Sequence, residues 1–280
     1  MKLGIGKHYI LRYGLADGAA KMKEDGYSFL DYSFSDTSTP IYEARDESFL
    51  SMVYDIRRTL DGAGIKVEQI HGPWQYPPKD LTDDERAERF EKMTKSMVIA
   101  RYLGAKYVAV HPLMPYGANS PEDSEGVYEI NRTFYAALAN VGKNLGITVC
   151  LENMPFPQHP IHSTEQIVAL VRDIDHPNLK VCFDTGHANI CGEVMSESVK
   201  CIGKDLLRII HVHDNFGKKD SHSAPYEGSI DWADFVEALY DIGYDGIMNL
   251  ELGLPSELEG DALRYAERAL AKTAKLLAGE

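Results

Sequence analysis

The sequence predicts an α/β chain folded as a single (β/α)8 TIM barrel spanning residues 1–280, and three observations carry that expectation. Short β-branched or apolar runs alternate with longer amphipathic, charge-laced stretches, the pattern of βαβ units on a parallel sheet. Eight such runs recur about every 35 residues, which favours a closed barrel over an open doubly wound sheet. No glycine-rich phosphate loop of the GxGxxG or GxxxxGKS/T kind follows any of them, which removes the nucleotide-binding alternative.

In chain order, the predicted strands are Lys2–Ile5, Phe29–Tyr32, Val67–His71, Tyr107–His111, Thr148–Glu152, Lys180–Asp184, Ile209–His213 and Ile247–Glu251. Helices are predicted over Thr82–Leu103, Val127–Leu145, Thr164–Arg172, Trp232–Ile242 and Gly260–Leu277, among others. Gly64, Gly104, Gly146, Gly243 and Gly246 punctuate the helix-to-strand returns, where a left-handed cap favours glycine. Three connections are long for a compact domain, Pro112–Glu125, Asn153–Ser163 and Asp214–Ile230, and loops of that length are more often functional than decorative.

Composition narrows the function. A hydrophobic fraction of 44% and a charged fraction of 26% suit a globular domain with an ample core. Lys and Arg total 29 against 43 Asp and Glu, a net charge of -14 that argues against nucleic acid as a partner. No apolar run reaches the length of a membrane span, and the start MKLGIGKHYI lacks a signal-peptide core, so the chain is expected in the cytoplasm. The four cysteines (Cys150, Cys182, Cys191, Cys201) show no CxxC spacing and are expected to be free thiols. A homo-oligomer is left open.

Polar, metal-competent residues interrupt the ends of the apolar runs. His71 ends QIHGPW, His111 ends VAVHP, Glu152 ends VCLEN and Asp184 ends VCFDTGH; His211 and His213 sit in IIHVHDN, and Glu251 ends MNLEL. All fall at the C-terminal strand ends, the face on which barrel active sites are assembled. One such histidine, alone, reads as a hydrogen-bonded structural residue; Asp184 alone reads as a helix cap and Glu251 alone as the partner of an arginine. Taken together they read as a cluster, in which converging carboxylates repel one another unless a divalent cation lies between them. His8, His159, His162 and His176 fall in turns or loops and are expected to be solvated.

These motifs, with FDTGHAN from Phe183, IHVHDN from Ile210, DSHSAPYEGSIDW and NLEL, resemble the xylose-isomerase-like barrel superfamily along essentially the whole chain. That superfamily joins sugar isomerases and epimerases, inosose dehydratases and the endonuclease IV type of apurinic endonuclease. The resemblance to its ketose 3-epimerases implies one divalent ion on Glu152, Asp184, His211 and Glu251, with Glu152 and Glu251 also moving the proton. Mn²⁺ leads Zn²⁺, Co²⁺ and Mg²⁺ for such an oxygen-rich set, and recruitment of His71 and His111 would tilt it toward Zn²⁺. The resemblance to the endonucleases extends the set to nine residues, adding His71, His111, His187, Asp220 and His222. Two positions depart from the ketohexose epimerases: Gln158 stands where they carry a substrate-binding Glu, and Gly217 where they carry an Arg.

The resulting expectation is a metal-dependent isomerase or epimerase acting on a small sugar or keto-sugar through an enediolate, with His187, His213 and Trp74 as candidate substrate contacts. Rim packing is the competing reading of Trp74. The alternatives are an inosose or keto-sugar dehydratase or lyase, a zinc phosphodiesterase acting at abasic DNA, and a non-enzymatic sugar sensor that keeps a metal. A sensor has no use for a Glu152–Glu251 acid–base pair.

Overall fold

The structure, a computed structural model, describes residues 1–34, 40–44, 46–75, 77–118 and 123–279. Part of the predicted Pro112–Glu125 loop, residues 119–122, lies outside them. The element order is β1 (Lys2–Ile5), α1 (His8–Tyr13), α2 (Leu15–Asp25), β2 (Phe29–Leu30), α3 (Pro40–Glu43), α4 (Asp46–Ala63), β3 (Gln69–His71), α5 (Asp83–Leu103), β4 (Tyr107–Val110) and α6 (Ser124–Leu145). It continues with β5 (Thr148–Glu152), α7 (Thr164–Ile174), β6 (Leu179–Asp184), α8 (Thr185–Ile190), α9 (Met195–Leu206), β7 (Leu207–Val212), α10 (Trp232–Asp241), β8 (Ile247–Leu250) and α11 (Gly260–Ala278).

The eight strands form one sheet in the order β2-β1-β8-β7-β6-β5-β4-β3, with every described pairing within it parallel. Between its two edges, Leu30 N donates to Lys66 O and Lys66 N to Ser28 O, at 2.9 Å each, so the ring is closed just ahead of β3. The chain is a (β/α)8 barrel.

Local chemistry explains where the helices begin. Thr82 and Glu85 form a reciprocal capping box at the start of α5, and Ser163 and Gln166 form one at the start of α7. Each box satisfies amide groups that would otherwise point at nothing, worth about 1 kcal/mol. Gly64, Gly104, Gly146 and Gly243 have positive φ, as a left-handed helix exit requires. Gly246 differs from that expectation: its φ is not positive, and a Cβ there would fall 2.4 Å from the Tyr244 hydroxyl. Its role is to make room.

Strands covered by helices outside and by side chains inside are buried on both faces, which is why they read as continuous apolar runs. Val108, Val149, Leu151, Val181, Ile209 and Leu250 are essentially inaccessible. β2 is shorter than predicted because the chain leaves the sheet at Asp31. β7 begins at Leu207, two residues earlier than predicted, immediately after a kink at Gly203 in α9.

The two ends of the barrel wall are tied by a buried polar group. Arg264 of α11 donates to both oxygens of Asp25 at 2.9 Å and pairs with Glu267, while Tyr9 donates to Asp25 at 2.6 Å. Among the described residues no helix is long and apolar enough to cross a membrane. All four cysteines are free, with Cys150 and Cys182 buried, as expected.

Candidate metal centre at the barrel mouth

The strand register brings the interrupting residues together. In the β6–β7–β8 row, Asp184 stands beside His211 and His211 beside Asn249; in β5–β6, Glu152 stands beside Cys182. One ligand-type atom from each of Glu152, Asp184, His211 and Glu251 lies within 4.8 Å of the others. Glu152, Asp184 and His211 are fully buried, whereas the Glu251 side chain is 27% exposed and reaches the open mouth.

His211 Nδ1 is 3.1 Å from both Glu152 Oε1 and Glu251 Oε2. Its other ring nitrogen, Nε2, is 3.0 Å from Asp31 Oδ2. Glu152 Oε2 is 3.3 Å from His111 Nε2 and 3.5 Å from His71 Nε2 but accepts no hydrogen bond from the described residues. Among the described residues only imidazoles pair with Glu152, Asp184 and Glu251; no lysine or arginine neutralises them.

Three carboxylates, one of them with an orphaned buried oxygen, and one imidazole form a donor set that fits a divalent cation. Burial pushes the Glu152 carboxyl up, but His211 and His111 outweigh it and hold it well below the usual range. Glu251 is held down against burial in the same way by His211.

The further histidines flank this cluster. His71 Nδ1 is 2.8 Å from Gly72 O, His187 Nδ1 is 2.8 Å from Asn153 O and His222 Nδ1 is 2.6 Å from Glu251 O. A carbonyl can only accept, so each Nδ1 carries a proton; Nε2 of His71 is turned toward Glu152, and Nε2 of His187 and of His222 toward Asp220. His187 Nε2 and His222 Nε2 lie 3.3 Å and 3.2 Å from Asp220 Oδ2. Against burial, Asp184 and Asp220 push His187 up to about 10, and Asp220 and Glu251 push His222 up to about 9. Burial pushes the His111 ring down to about 4 despite Glu152.

All nine residues of the larger predicted set therefore converge on one mouth. His213 is also there but fully buried: Nε2 is 3.0 Å from Asp184 Oδ2, and its ring stacks beneath His222 at 4.0 Å. Trp74 stands half-buried at the rim, edge-on to His111 at 4.4 Å, beside Met114 and Met154.

Asp220 and His222 come from the 214–230 loop, which folds back on itself. Asp214 and Ser223 pair in antiparallel fashion, and the buried Asp214 carboxylate accepts from Asn215 N, Tyr226 N, Ile230 N and Trp232 Nε1. Where ketohexose epimerases carry Glu and Arg, Gln158 is exposed and Gly217 occupies a left-handed turn at φ +70 that a side chain would strain.

Two expectations are corrected. His8 and His159 are not solvated but buried, His8 against Glu267 at 3.1 Å and His159 with Nδ1 against Ile161 O at 2.9 Å. Sequence reasoning also passed over Asp31, Gln69, Asn249 and Asn153. Asn249 carried a signal: it lies two residues before Glu251 and so shares its face. Asp31 ends FLD in the same way that Asp184 ends VCFD, but one acidic residue after two apolar ones also reads as a turn.

Comparison with known proteins places this geometry in a family. Residues 19–276 match the model of the xylose isomerase-like TIM barrel. An uncharacterised protein of Methanocaldococcus jannaschii is 32% identical over 190 residues, 65% of this chain and 63% of the relative, so the match spans less than two thirds of that protein. A D-psicose 3-epimerase of Ruminiclostridium cellulolyticum is 25% identical over 205 residues, 71% of this chain and 67% of the relative. A D-psicose 3-epimerase crystallised in the presence of D-fructose superposes with a TM-score of 0.80 at 21% identity, covering 100% of both chains. The chain belongs to the xylose isomerase-like TIM barrel family.

Proposed function

We propose that the chain is a metal-dependent sugar isomerase or epimerase that moves a proton next to the carbonyl of a small sugar or keto-sugar. The observation that carries this reading is the cluster of Glu152, Asp184, His211 and Glu251, whose ligand-type atoms gather within 4.8 Å at the barrel mouth. These four residues would hold one divalent ion, Mn²⁺ foremost. When bound, such an ion supplies Lewis acidity to a substrate carbonyl.

The chain's own residues supply the proton chemistry. Glu152 is a buried carboxylate kept ionised by imidazoles, and Glu251 opens to the mouth from a strand three positions away in the ring. One, ionised, takes the proton next to the carbonyl, and the other, which must enter the step protonated, delivers its own proton to the opposite face of the enediolate. His187 orients a substrate oxygen, Trp74 offers an apolar wall for a sugar face, and His213 holds Asp184 from behind. The exposed Gln158 and the turn at Gly217 favour a sugar other than a free ketohexose.

The similarity to D-psicose 3-epimerases supports the reaction class. The convergence of all nine metal-competent residues favours a second reading, a zinc phosphodiesterase acting on abasic DNA. The net charge of -14 and the carboxylate-lined mouth weigh against it, since both repel a polyanion while a neutral sugar is indifferent to them.

The test is product formation. Mn²⁺-loaded protein incubated with ketoses, aldoses, inososes and keto-glycosides should yield a new epimer or isomer of at least one, resolved by NMR. Chelation should abolish the conversion and Mn²⁺ should restore it. Conversion of none, alongside cleavage of an abasic-site duplex, would replace this reading with the second.

A further inference from the structure

Asp31 leaves the C-terminal end of β2 and is buried, 4% exposed, inside the barrel. Three donors from three other strands converge on its Oδ2: Gln69 Nε2 of β3 at 2.7 Å, His211 Nε2 of β7 at 3.0 Å and Asn249 Nδ2 of β8 at 3.3 Å. Its second oxygen, Oδ1, has no hydrogen-bond partner among the described residues. Gly4 of β1 leaves room for this arrangement, because a Cβ there would fall 2.8 Å from Asn249 Oδ1 and 2.7 Å from Ile247 Cγ2.

We propose that Asp31 is a positioning residue for the metal centre, fixing His211 with its Nε2 protonated so that the Nδ1 lone pair faces Glu152, Asp184 and Glu251. The inference rests on reading that cluster as a metal site. A carboxylate is an acceptor, so the 3.0 Å contact puts the ring proton on Nε2. Nδ1 then stands 3.1 Å from each of two carboxylate oxygens, an arrangement made favourable by a proton on Nδ1 in the metal-free site and, in the neutral ring, by a metal ion that takes the Nδ1 lone pair.

His71, His187 and His222 are anchored differently, each by Nδ1 on a main-chain carbonyl. A carboxylate anchor also raises the basicity of the ligating nitrogen, and loss of such an anchor typically weakens metal binding about 10–100-fold. Gln69 and Asn249 hold Asp31 Oδ2 in place, so the ring plane of His211 is set by residues of β3 and β8 and by the residue that follows β2, as well as by its own strand.

The test is metal affinity, measured by competition of Mn²⁺ or Zn²⁺ between the protein and a chromophoric chelator. Asp31→Asn should weaken binding about 10–100-fold while the far-ultraviolet spectrum stays that of the wild type. In the Zn²⁺-loaded wild type, ¹⁵N NMR of the His211 ring should show a protonated Nε2 and an unprotonated, ligated Nδ1. In Asp31→Asn that Nε2 signal should lose its distinct shift.

Should Asp31→Asn fail to fold, Gln69→Met removes the 2.7 Å donor at similar volume and should weaken binding in the same direction by less. Unchanged affinity in a folded Asp31→Asn, or in Gln69→Met where only that variant folds, would overturn the positioning role. So would a wild-type ring protonated on Nδ1. A wild type that takes up no ion would instead bring down the metal reading itself, a separate result.

Discussion

Asp184 Oδ1 accepts the backbone N–H of His187 at 2.7 Å, which makes a proposed metal ligand the N-cap of α8. The two roles separate by substitution. Asn caps a helix about as well as Asp, whereas Ala forfeits roughly 0.5–2 kcal/mol of cap energy. Asp184→Asn should therefore keep near-wild-type stability in chelator but bind Mn²⁺ at least tenfold more weakly. Asp184→Ala should lose both. Thermal melts with and without Mn²⁺ check this, and an Asn variant that melts and binds like the wild type would remove Asp184 from the site.

Asp214 organises the loop that carries Asp220 and His222. Replacing it with Ala leaves four donors without their acceptor, with Asn215 N, Ile230 N and Trp232 Nε1 buried and Tyr226 N partly buried. Stranded buried donors cost about 1–3 kcal/mol each where water cannot reach them, so Asp214→Ala should destabilise the fold by about 3 kcal/mol or more. Denaturant unfolding measures it. Because Trp232 loses its partner, the change should also register in tryptophan fluorescence.

Most of the barrel was legible because its strands are sandwiched between two buried layers, so Val108–Val110 or Val149–Leu151 read as unbroken apolar runs. The cluster proposed as the site was legible because Glu152, Asp184 and His211 break such runs. What escaped has a physical reason in each case. α1 and α2 follow β1 with only Gly14 between them, and six residues of α1 are too few to show a helical period. Asp31 meets His211 from a strand distant in sequence, and only the barrel brings them together, whereas Asn249 pairs beside His211 in the sheet. His8 was expected in a solvated turn; its acidic partner, Glu267, is 259 residues away on α11.

That His8–Glu267 contact predicts a pH dependence. Leu254 N approaches His8 Nδ1 at 3.4 Å, so the ring is neutral with its proton on Nε2, directed at Glu267 Oε1. Burial lowers the His8 pKa below 6.5 despite Glu267. The unfolded chain therefore binds the proton more readily, and the stability this neutral ring contributes is present above pH 6.5 and lost as pH falls toward the folded pKa. His8→Gln, which cannot titrate, should be less stable than the wild type at pH 7, and the gap should narrow at pH 5. A gap that stays constant in denaturant titrations at the two values would contradict this.

The central claim is that Glu152 and Glu251 exchange a substrate proton next to a carbonyl. Mn²⁺-loaded protein in D₂O, incubated with the panel of ketoses, aldoses, inososes and keto-glycosides, tests it most directly. The account predicts deuterium wash-in at the carbon beside the carbonyl of at least one sugar, followed by ¹H NMR, and its loss in both Glu152→Gln and Glu251→Gln. Exchange that persists in either variant, or no exchange in any sugar while an abasic-site duplex is cleaved at low salt, would contradict it.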